Sequence, residues 1–246
     1  MSVRVAGMAW LLVAALGAPA AFAGSHVVEL ARFDAPATPA ALPEGWEPLV
    51  FRKVARSTRY SLAREGAGWV LMAESDAAAS ALYRPLDLDP LAYPRLTWRW
   101  KVANVLVTAD ARRKDGDDYA ARVYVAFRYD PARATAWERI TFGAYRLVYG
   151  RYPPAAVVNY VWDNRLAPGT ELDNAYTDRA RMIVLRSGAA DVGRWVTESR
   201  DVAADYRRLF GGAPPRIAGV AVMTDTDDTG ERAVAWYDAL AFRARE

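Results

Sequence analysis

The feature that most constrains the fold of this chain is a series of short, strand-like segments separated by turn residues. Twelve segments are rich in β-branched and aromatic residues, and glycine, proline or aspartate residues lie between them. Strands that recur at intervals of about ten residues are typical of β-sandwiches and β-barrels, so the sequence predicts an all-β fold. The predicted strands are residues 27–33, 46–51, 58–64, 69–75, 80–86, 95–102, 120–129, 157–162, 182–186, 195–200, 217–224 and 234–243.

Alternation of apolar and polar side chains is clearest in the seventh predicted strand. Val123, Val125 and Phe127 share one face of this strand, while Arg122 and Tyr124 share the other. Successive side chains of a strand project to opposite faces of the sheet. This segment therefore predicts one face packed in a core and one polar face.

Two segments differ from the strand pattern. Residues 201–210 carry apolar side chains at helical spacing and end at two glycines, which predicts a short helix. Residues 133–143 fit either a helix or an excursion from a sheet. No repeat, linker or shift in composition divides the chain after its N-terminal segment, so we expect a single β-sandwich domain over residues 24–246 with one or two short helices.

The N-terminus has the pattern of an export signal. Arg4 precedes an apolar run over residues 8–18, and Ala21 and Ala23 have the small side chains that signal peptidase requires before a cleavage site. The run is shorter than the roughly 20 residues of a membrane-spanning helix, and Pro19 ends it. We expect residues 1–23 to be a cleaved signal peptide and the protein to be periplasmic or secreted, with no transmembrane segment after cleavage.

Composition excludes several classes of chemistry. The chain has no cysteine, which excludes disulfides, thiolate catalysis, zinc–sulfur sites and lipidation at a cysteine. Its one histidine, His26, lies near the expected mature N-terminus, so neither a His-ligated metal centre nor a Ser–His triad is expected. Charges of both signs are interleaved, with a net charge of +3. This differs from the basic stripe of nucleic-acid-binding proteins, and we expect no nucleic-acid partner.

Several motifs are shared with a known family. They are LTWRWKV at residues 96–102, DDYAARVYVAF at 117–127, NYVW at 159–162, VLRSG at 184–188, the Asp205-Tyr206 pair followed by Phe210-Gly211, and MTDTDDTG at 223–230. In these motifs and their order the chain resembles the exported bacterial proteins grouped as domain of unknown function family 3047. The resemblance implies a jelly-roll, galactose-binding-like β-sandwich similar to carbohydrate-binding modules, and it implies no activity or catalytic residues.

A polar sheet face is the predicted ligand-binding surface. Arginine can hold a carboxylate through two parallel hydrogen bonds, and aromatic ring faces pack against sugar C–H groups. The alternative is an ion-pair network that covers the sheet. Trp98 and Trp100 share a face with Leu96 and Val102 and are expected in the core, whereas Trp162 fits either role. The candidate ligand-binding residues are Asp117, Asp118, Arg122, Tyr124, Trp162, Arg99 and Lys101.

A second candidate site is the acidic loop before the last strand. Asp225, Asp227 and Asp228 offer three carboxylates within four positions, and clustered carboxylates suit a hard cation such as Ca²⁺. The spacing differs from that of an EF-hand loop. The family resemblance adds an analogy with jelly-roll modules that carry a structural calcium. The alternative is a solvated turn in which aspartate side chains cap backbone amides.

These observations favour a non-catalytic module over an enzyme. The predicted ligand is a carbohydrate or another polar polymer of the cell envelope, and no cofactor is required beyond a possible structural Ca²⁺. One alternative is a carboxylate-dependent glycoside hydrolase or lyase, because such enzymes need only two suitably spaced acids. The other is an interaction or assembly factor whose partner is an envelope protein.

Overall fold

The computed structural model describes residues 26–31, 33, 42–132, 136, 142 and 152–245 of the chain. The expected signal peptide lies outside these residues, as does most of the ambiguous segment 133–143. In the described ranges, no helix reaches the length and apolar character that crossing a membrane requires.

Every predicted strand segment overlaps an observed strand, and the structure adds one strand that the pattern did not predict. The added strand, β9, has only three residues, too few for an alternation pattern to be visible. The strands are β1 (Val27–Glu29), β2 (Glu47–Val50), β3 (Arg59–Glu65), β4 (Gly68–Asp76), β5 (Ser80–Leu88), β6 (Arg95–Val102), β7 (Ala121–Phe127), β8 (Ala156–Asp163), β9 (Glu171–Asp173), β10 (Ala180–Ser187), β11 (Val196–Asp201), β12 (Ile217–Met223) and β13 (Arg232–Arg243).

The strands form two sheets that pack face to face. The smaller sheet has the order β11-β6-β13-β4-β3, with β1 also paired to β13, and the larger has the order β2-β5-β12-β7-β8-β10-β9. Neighbouring strands are antiparallel except for β8 and β10, which are parallel. The predicted all-β sandwich of jelly-roll type is confirmed. Consecutive strands β6 and β7 belong to different sheets, so the candidate residues on β6 and those on β7 lie on different sheets.

The core lies between the sheets and is filled by aromatic side chains from both. Trp98 and Trp100 on β6 are fully buried, as predicted, and their rings meet edge to face with centroids 5.5 Å apart. Across the interface, Trp98 contacts Tyr160 on β8 at 5.3 Å, and Trp100 contacts Trp162 at 5.9 Å. Aromatic pairs in such geometries stabilise a fold beyond the area that they bury. These rings therefore join the two sheets.

The predicted helix is present as α1 (Val202–Phe210). Asp201 caps its N-terminus by accepting a hydrogen bond from the Ala204 amide at 2.8 Å. The helix ends at Gly211, whose positive φ of 75° is accessible to glycine at little cost. On its buried side, Tyr206 packs against Phe127 of the larger sheet with ring centroids 4.6 Å apart.

Asp205 on α1 ties the helix to both sheets. Its buried carboxylate accepts hydrogen bonds from the Tyr160 hydroxyl of the larger sheet at 2.7 Å and from Arg200 of the smaller sheet at 2.6 and 2.9 Å. Arg208 adds a third donor at 2.8 Å. Burial, together with the negative charge of Asp205, raises the pKa of Tyr160 well above its ordinary value, so this hydroxyl stays protonated and donates.

Two substitutions on this helix test the role of Asp205. We expect Asp205→Ala to lower the free energy of unfolding by about 3–5 kcal/mol, because a buried charge network loses its acceptor. Asp201→Ala removes only the N-cap and is expected to cost about 1 kcal/mol. Urea unfolding followed by circular dichroism measures both values. Equal losses for the two variants would contradict the role assigned to Asp205.

Candidate ligand-binding cleft

A cleft of about 1010 Å³ lies on the outer face of the larger sheet. Its floor is built from small residues. Strands β5, β7 and β12 have alanines on their outward side, and larger side chains lie on either side of these alanines. Ala221 on β12 is in register with Tyr83 on β5 and Tyr124 on β7, so the two rings stand on either side of a methyl group. Ala81, Ala126 and Ala218 extend this floor. Small residues between large ones create the depression.

Tyrosines and apolar side chains form the walls of the cleft. The Tyr83 ring lies against Gly219, where a Cβ atom would come within 2.3 Å of it. The Tyr83 hydroxyl donates to the Ala218 carbonyl at 2.7 Å, which holds the ring against the sheet. Tyr129 and Tyr152, with ring centroids 5.2 Å apart, line the cleft as well. Apolar walls of this kind are typical of small-molecule sites.

A buried ion pair lies at one end of the cleft. Arg122 on β7 and Asp225, which follows β12, are both almost completely buried. Arg122 Nε donates to Asp225 Oδ1 at 2.8 Å, and Nη2 donates to Oδ2. Nη2 also donates to the Asp117 carbonyl, and Nη1 lies 3.6 Å from Asp117 Oδ2. The guanidinium therefore has its partners within the protein and is not available to hold a ligand carboxylate.

Three further carboxylates gather beside this pair. Oxygens of Asp118, Asp227 and Asp228 all lie within 4.8 Å of one another. Asp118 Oδ2 accepts from the Thr229 amide at 2.6 Å, and the Tyr176 hydroxyl lies 2.8 Å from Asp228 Oδ2. Burial raises the pKa of both Asp227 and Asp228, and the negative charge of Asp118 raises both further. Asp227 and Asp228 line the cleft, which gives it an acidic end.

The structure brings together only part of the predicted binding surface. Asp117, Arg122 and Tyr124 line the cleft, and Asp118 belongs to the adjacent carboxylate group. Trp162 does not lie on the surface, because its side of β8 faces the other sheet and the residue is 1% exposed. Its indole N–H donates to the Gly188 carbonyl at 3.2 Å.

Arg99 and Lys101 do not join this cluster, because β6 belongs to the smaller sheet and they project from the opposite side of the sandwich. Arg99 donates to Asp238 at 2.8 Å, and Lys101 donates to Glu65 at 2.8 Å. Lys101 Nζ also lies 4.5 Å from the Trp236 ring centroid. On this face the structure has the ion-pair network that was the alternative interpretation.

The three aspartates of the predicted metal-binding loop do not form one group either. Asp225 does not group with Asp227 and Asp228, since Arg122 holds its carboxylate. Asp118 takes its place, although it lies more than a hundred positions earlier in the sequence. Tyr83 and Tyr176 were not among the residues predicted from the sequence. Tyr83 lies in the predicted strand 80–86, but only the pairing of β5 with β12 shows that its ring lies against Gly219.

A pair of substitutions tests the buried ion pair. We expect Asp225→Ala to lower the free energy of unfolding by about 3–5 kcal/mol, because it leaves the buried Arg122 guanidinium without its main partner. Asp76→Ala breaks an exposed pair with Arg232 and is expected to leave the free energy of unfolding nearly unchanged, because water screens such pairs. Chemical denaturation measures both. A small effect for Asp225→Ala would show that the pair does not stabilise this end of the cleft.

Solved structures with a similar arrangement of strands share little sequence with this chain. The family 11 carbohydrate-binding module of the cellulosomal cellulase Lic26A-Cel5E of Clostridium thermocellum has 9% identity, with 89% of this chain and 95% of that chain covered and a TM-score of 0.44. The xyloglucanase domain of NopAA, a type three effector from Sinorhizobium fredii, has 5% identity, coverage of 85% and 97%, and a TM-score of 0.42. The K1 cleaved adhesin domain of Lys-gingipain from Porphyromonas gingivalis has 12% identity, coverage of 89% and 99%, and a TM-score of 0.38.

Comparison of this sequence with known protein families identifies the family of the chain. No curated protein sequence is significantly similar to this chain. The family described as "Protein of unknown function (DUF3047)" matches residues 44–241, a range that includes all the residues lining the cleft. The motifs that suggested this resemblance lie within the matched range, and the chain belongs to the DUF3047 family.

Proposed function

We propose that this protein is a non-catalytic binding module whose cleft holds a carbohydrate or another hydroxyl-rich polymer of the cell envelope. The observation that carries the proposal is the combination of an apolar floor, tyrosine walls and an acidic end in one cleft. The export signal expected at residues 1–23 supports the proposal, because it would direct this module to the periplasm or outside the cell, where such polymers occur.

The tyrosines support a ligand with flat apolar faces. The ring of a sugar presents C–H bonds on its faces, and these pack against the negative face of an aromatic ring. Tyr83 and Tyr124 stand on the two strands that pair with β12, on either side of Ala221, so their spacing is set by the backbone. A volume of about 1010 Å³ lies at the upper end of the roughly 300–1,000 Å³ of small-molecule sites, which favours several linked units over a single one.

The acidic end supports a ligand rich in hydroxyl groups. Ionised carboxylates accept hydrogen bonds from hydroxyls, and such charge-assisted bonds are stronger than neutral ones. Asp227 and Asp228 face the cleft, whereas Arg122 is occupied by Asp225 and Asp117. A ligand carboxylate would meet repulsion at this end. The proposal therefore favours neutral glycans over acidic ones there.

The proposal is tested by a glycan array followed by calorimetry with the best ligand. Gly219→Ala places a methyl group where the Tyr83 ring lies, and Tyr124→Leu keeps apolar volume but removes the ring. We expect each to weaken binding roughly 2- to 12-fold, the equivalent of the 0.5–1.5 kcal/mol of one aromatic contact. Trp236→Ala, on the outer face of the smaller sheet, is the matched control and is expected to leave the affinity unchanged.

Other outcomes contradict the proposal. Loss of binding in Trp236→Ala, with no change in the two cleft variants, would place the ligand on the opposite face. Release of reducing ends or unsaturated products from a polysaccharide would favour the hydrolase or lyase alternative. An array without hits, from protein shown to be folded, together with a stoichiometric envelope protein that co-purifies, would favour the assembly alternative.

A further inference from the structure

We propose that Asp118, Asp227 and Asp228 bind a calcium ion at the acidic end of the cleft, and that the ion contacts the cleft ligand. The first part concerns the protein alone. The second part rests on the proposed function. The site differs from the one predicted from sequence, because Asp118 replaces Asp225 as the third carboxylate.

The positions of the three carboxylates suit one hard cation. Calcium binds oxygen ligands at 2.3–2.6 Å, so two oxygens on opposite sides of one ion lie at most about 5.2 Å apart. Each of the three residues offers an oxygen within 4.8 Å of the other two. The three side chains come from two segments that the sheet brings together, the one before β7 and the one after β12. All three carboxylates can therefore reach the same ion.

The second observation is an unpartnered oxygen that points to a missing partner. Asp118 is 2% exposed, and its Oδ1 atom accepts no hydrogen bond within the described part of the chain, whereas its Oδ2 is held by Thr229. Buried polar atoms are almost always paired, and an orphaned carboxylate oxygen is among the costliest exceptions. Asp118 is the buried member of the group, and a cation bound at its carboxylate would lie beside this unpartnered oxygen.

The balance of charge supports the same conclusion. Asp117 and Asp225 lie beside the three carboxylates, and Arg122 is the cation that bonds to this pair. Asp117 and Asp225 therefore already balance the positive charge of Arg122, which does not offset the charges of Asp118, Asp227 and Asp228. Like charges at this separation repel strongly where water is partly excluded, and a divalent cation replaces that repulsion with attraction.

The site is open toward the cleft. Asp227 and Asp228 line the cleft, while Asp118 lies beneath them. Calcium takes six to eight oxygen ligands, more than three carboxylates supply when each binds through one oxygen. Water or the hydroxyls of a ligand would complete the shell from the cleft side. The ion would then contribute to ligand affinity directly, in addition to stabilising the loop.

Calorimetric titration of CaCl₂ into the purified, chelator-treated protein, with no saccharide present, tests the first part. We expect one Ca²⁺ per chain. Asp118→Asn and Asp227→Asn each remove a charged ligand but keep the side-chain shape, and we expect at least a tenfold increase in the Kd for Ca²⁺. Asp76→Asn changes an exposed carboxylate elsewhere and is expected to bind Ca²⁺ as the unchanged protein does. Circular dichroism before each titration establishes that the variant is folded, and Asp228→Asn replaces any variant that is not.

Absence of Ca²⁺ binding, or binding that the substitutions of the carboxylate ligands leave unchanged, would overturn the site. The second part is tested by saccharide titrations with CaCl₂ and with chelator, where at least a tenfold gain in saccharide affinity with Ca²⁺ is expected. Ca²⁺ binding with an unchanged saccharide affinity would overturn the contact between ion and ligand. Ca²⁺ binding without any saccharide binding would overturn the proposed function and leave the cation site intact.

Discussion

The buried ion pair between Arg122 and Asp225 determines the arrangement of the acidic end of the cleft. Removing two charges from water is expensive, and only good geometry with additional hydrogen bonds offsets that cost. Here two guanidinium nitrogens bind the two carboxylate oxygens, and the Tyr119 amide donates to Asp225 Oδ1 at 3.3 Å. The same guanidinium binds the Asp117 carbonyl, which fixes the chain just before β7. Because Arg122 binds Asp225 and Asp117, no ion pair within the described part of the chain joins Asp118, Asp227 or Asp228 to an arginine or lysine.

The two outer faces of the sandwich differ in the side chains that they present. On the smaller sheet, Lys101 lies between the rings of Trp195 and Trp236 and is bound by Glu65, so cation, rings and carboxylate satisfy one another. On the larger sheet, alanines lie between tyrosines, and both line the cleft. A face whose groups already have partners gains little by binding a ligand. This difference, more than the number of tryptophans, distinguishes the cleft from the opposite face.

The sequence predicted what depends on local periodicity and missed what depends on strand pairing. Alternation of side chains located the strands and assigned Trp98 and Trp100 to the core, and both assignments are confirmed. Alternation does not tell which strands share a sheet. Arg99 and Arg122 both occupy polar positions, but the connection after β6 crosses to the other sheet and separates them. Similarly, Asp118 meets Asp227 only because the start of β7 lies beside the end of β12, a contact across more than a hundred residues.

The acidic end and the apolar floor would act together if the cation site is filled. An ion that binds the folded protein but not the unfolded chain stabilises the fold by mass action. The segments that would gain most are the two that supply the carboxylates, one before β7 and one after β12, and both border the cleft. Coupling between two ligands is reciprocal, so a saccharide that contacts the ion must also raise the affinity for the ion. Occupancy of the cleft would then depend on the calcium concentration around the protein.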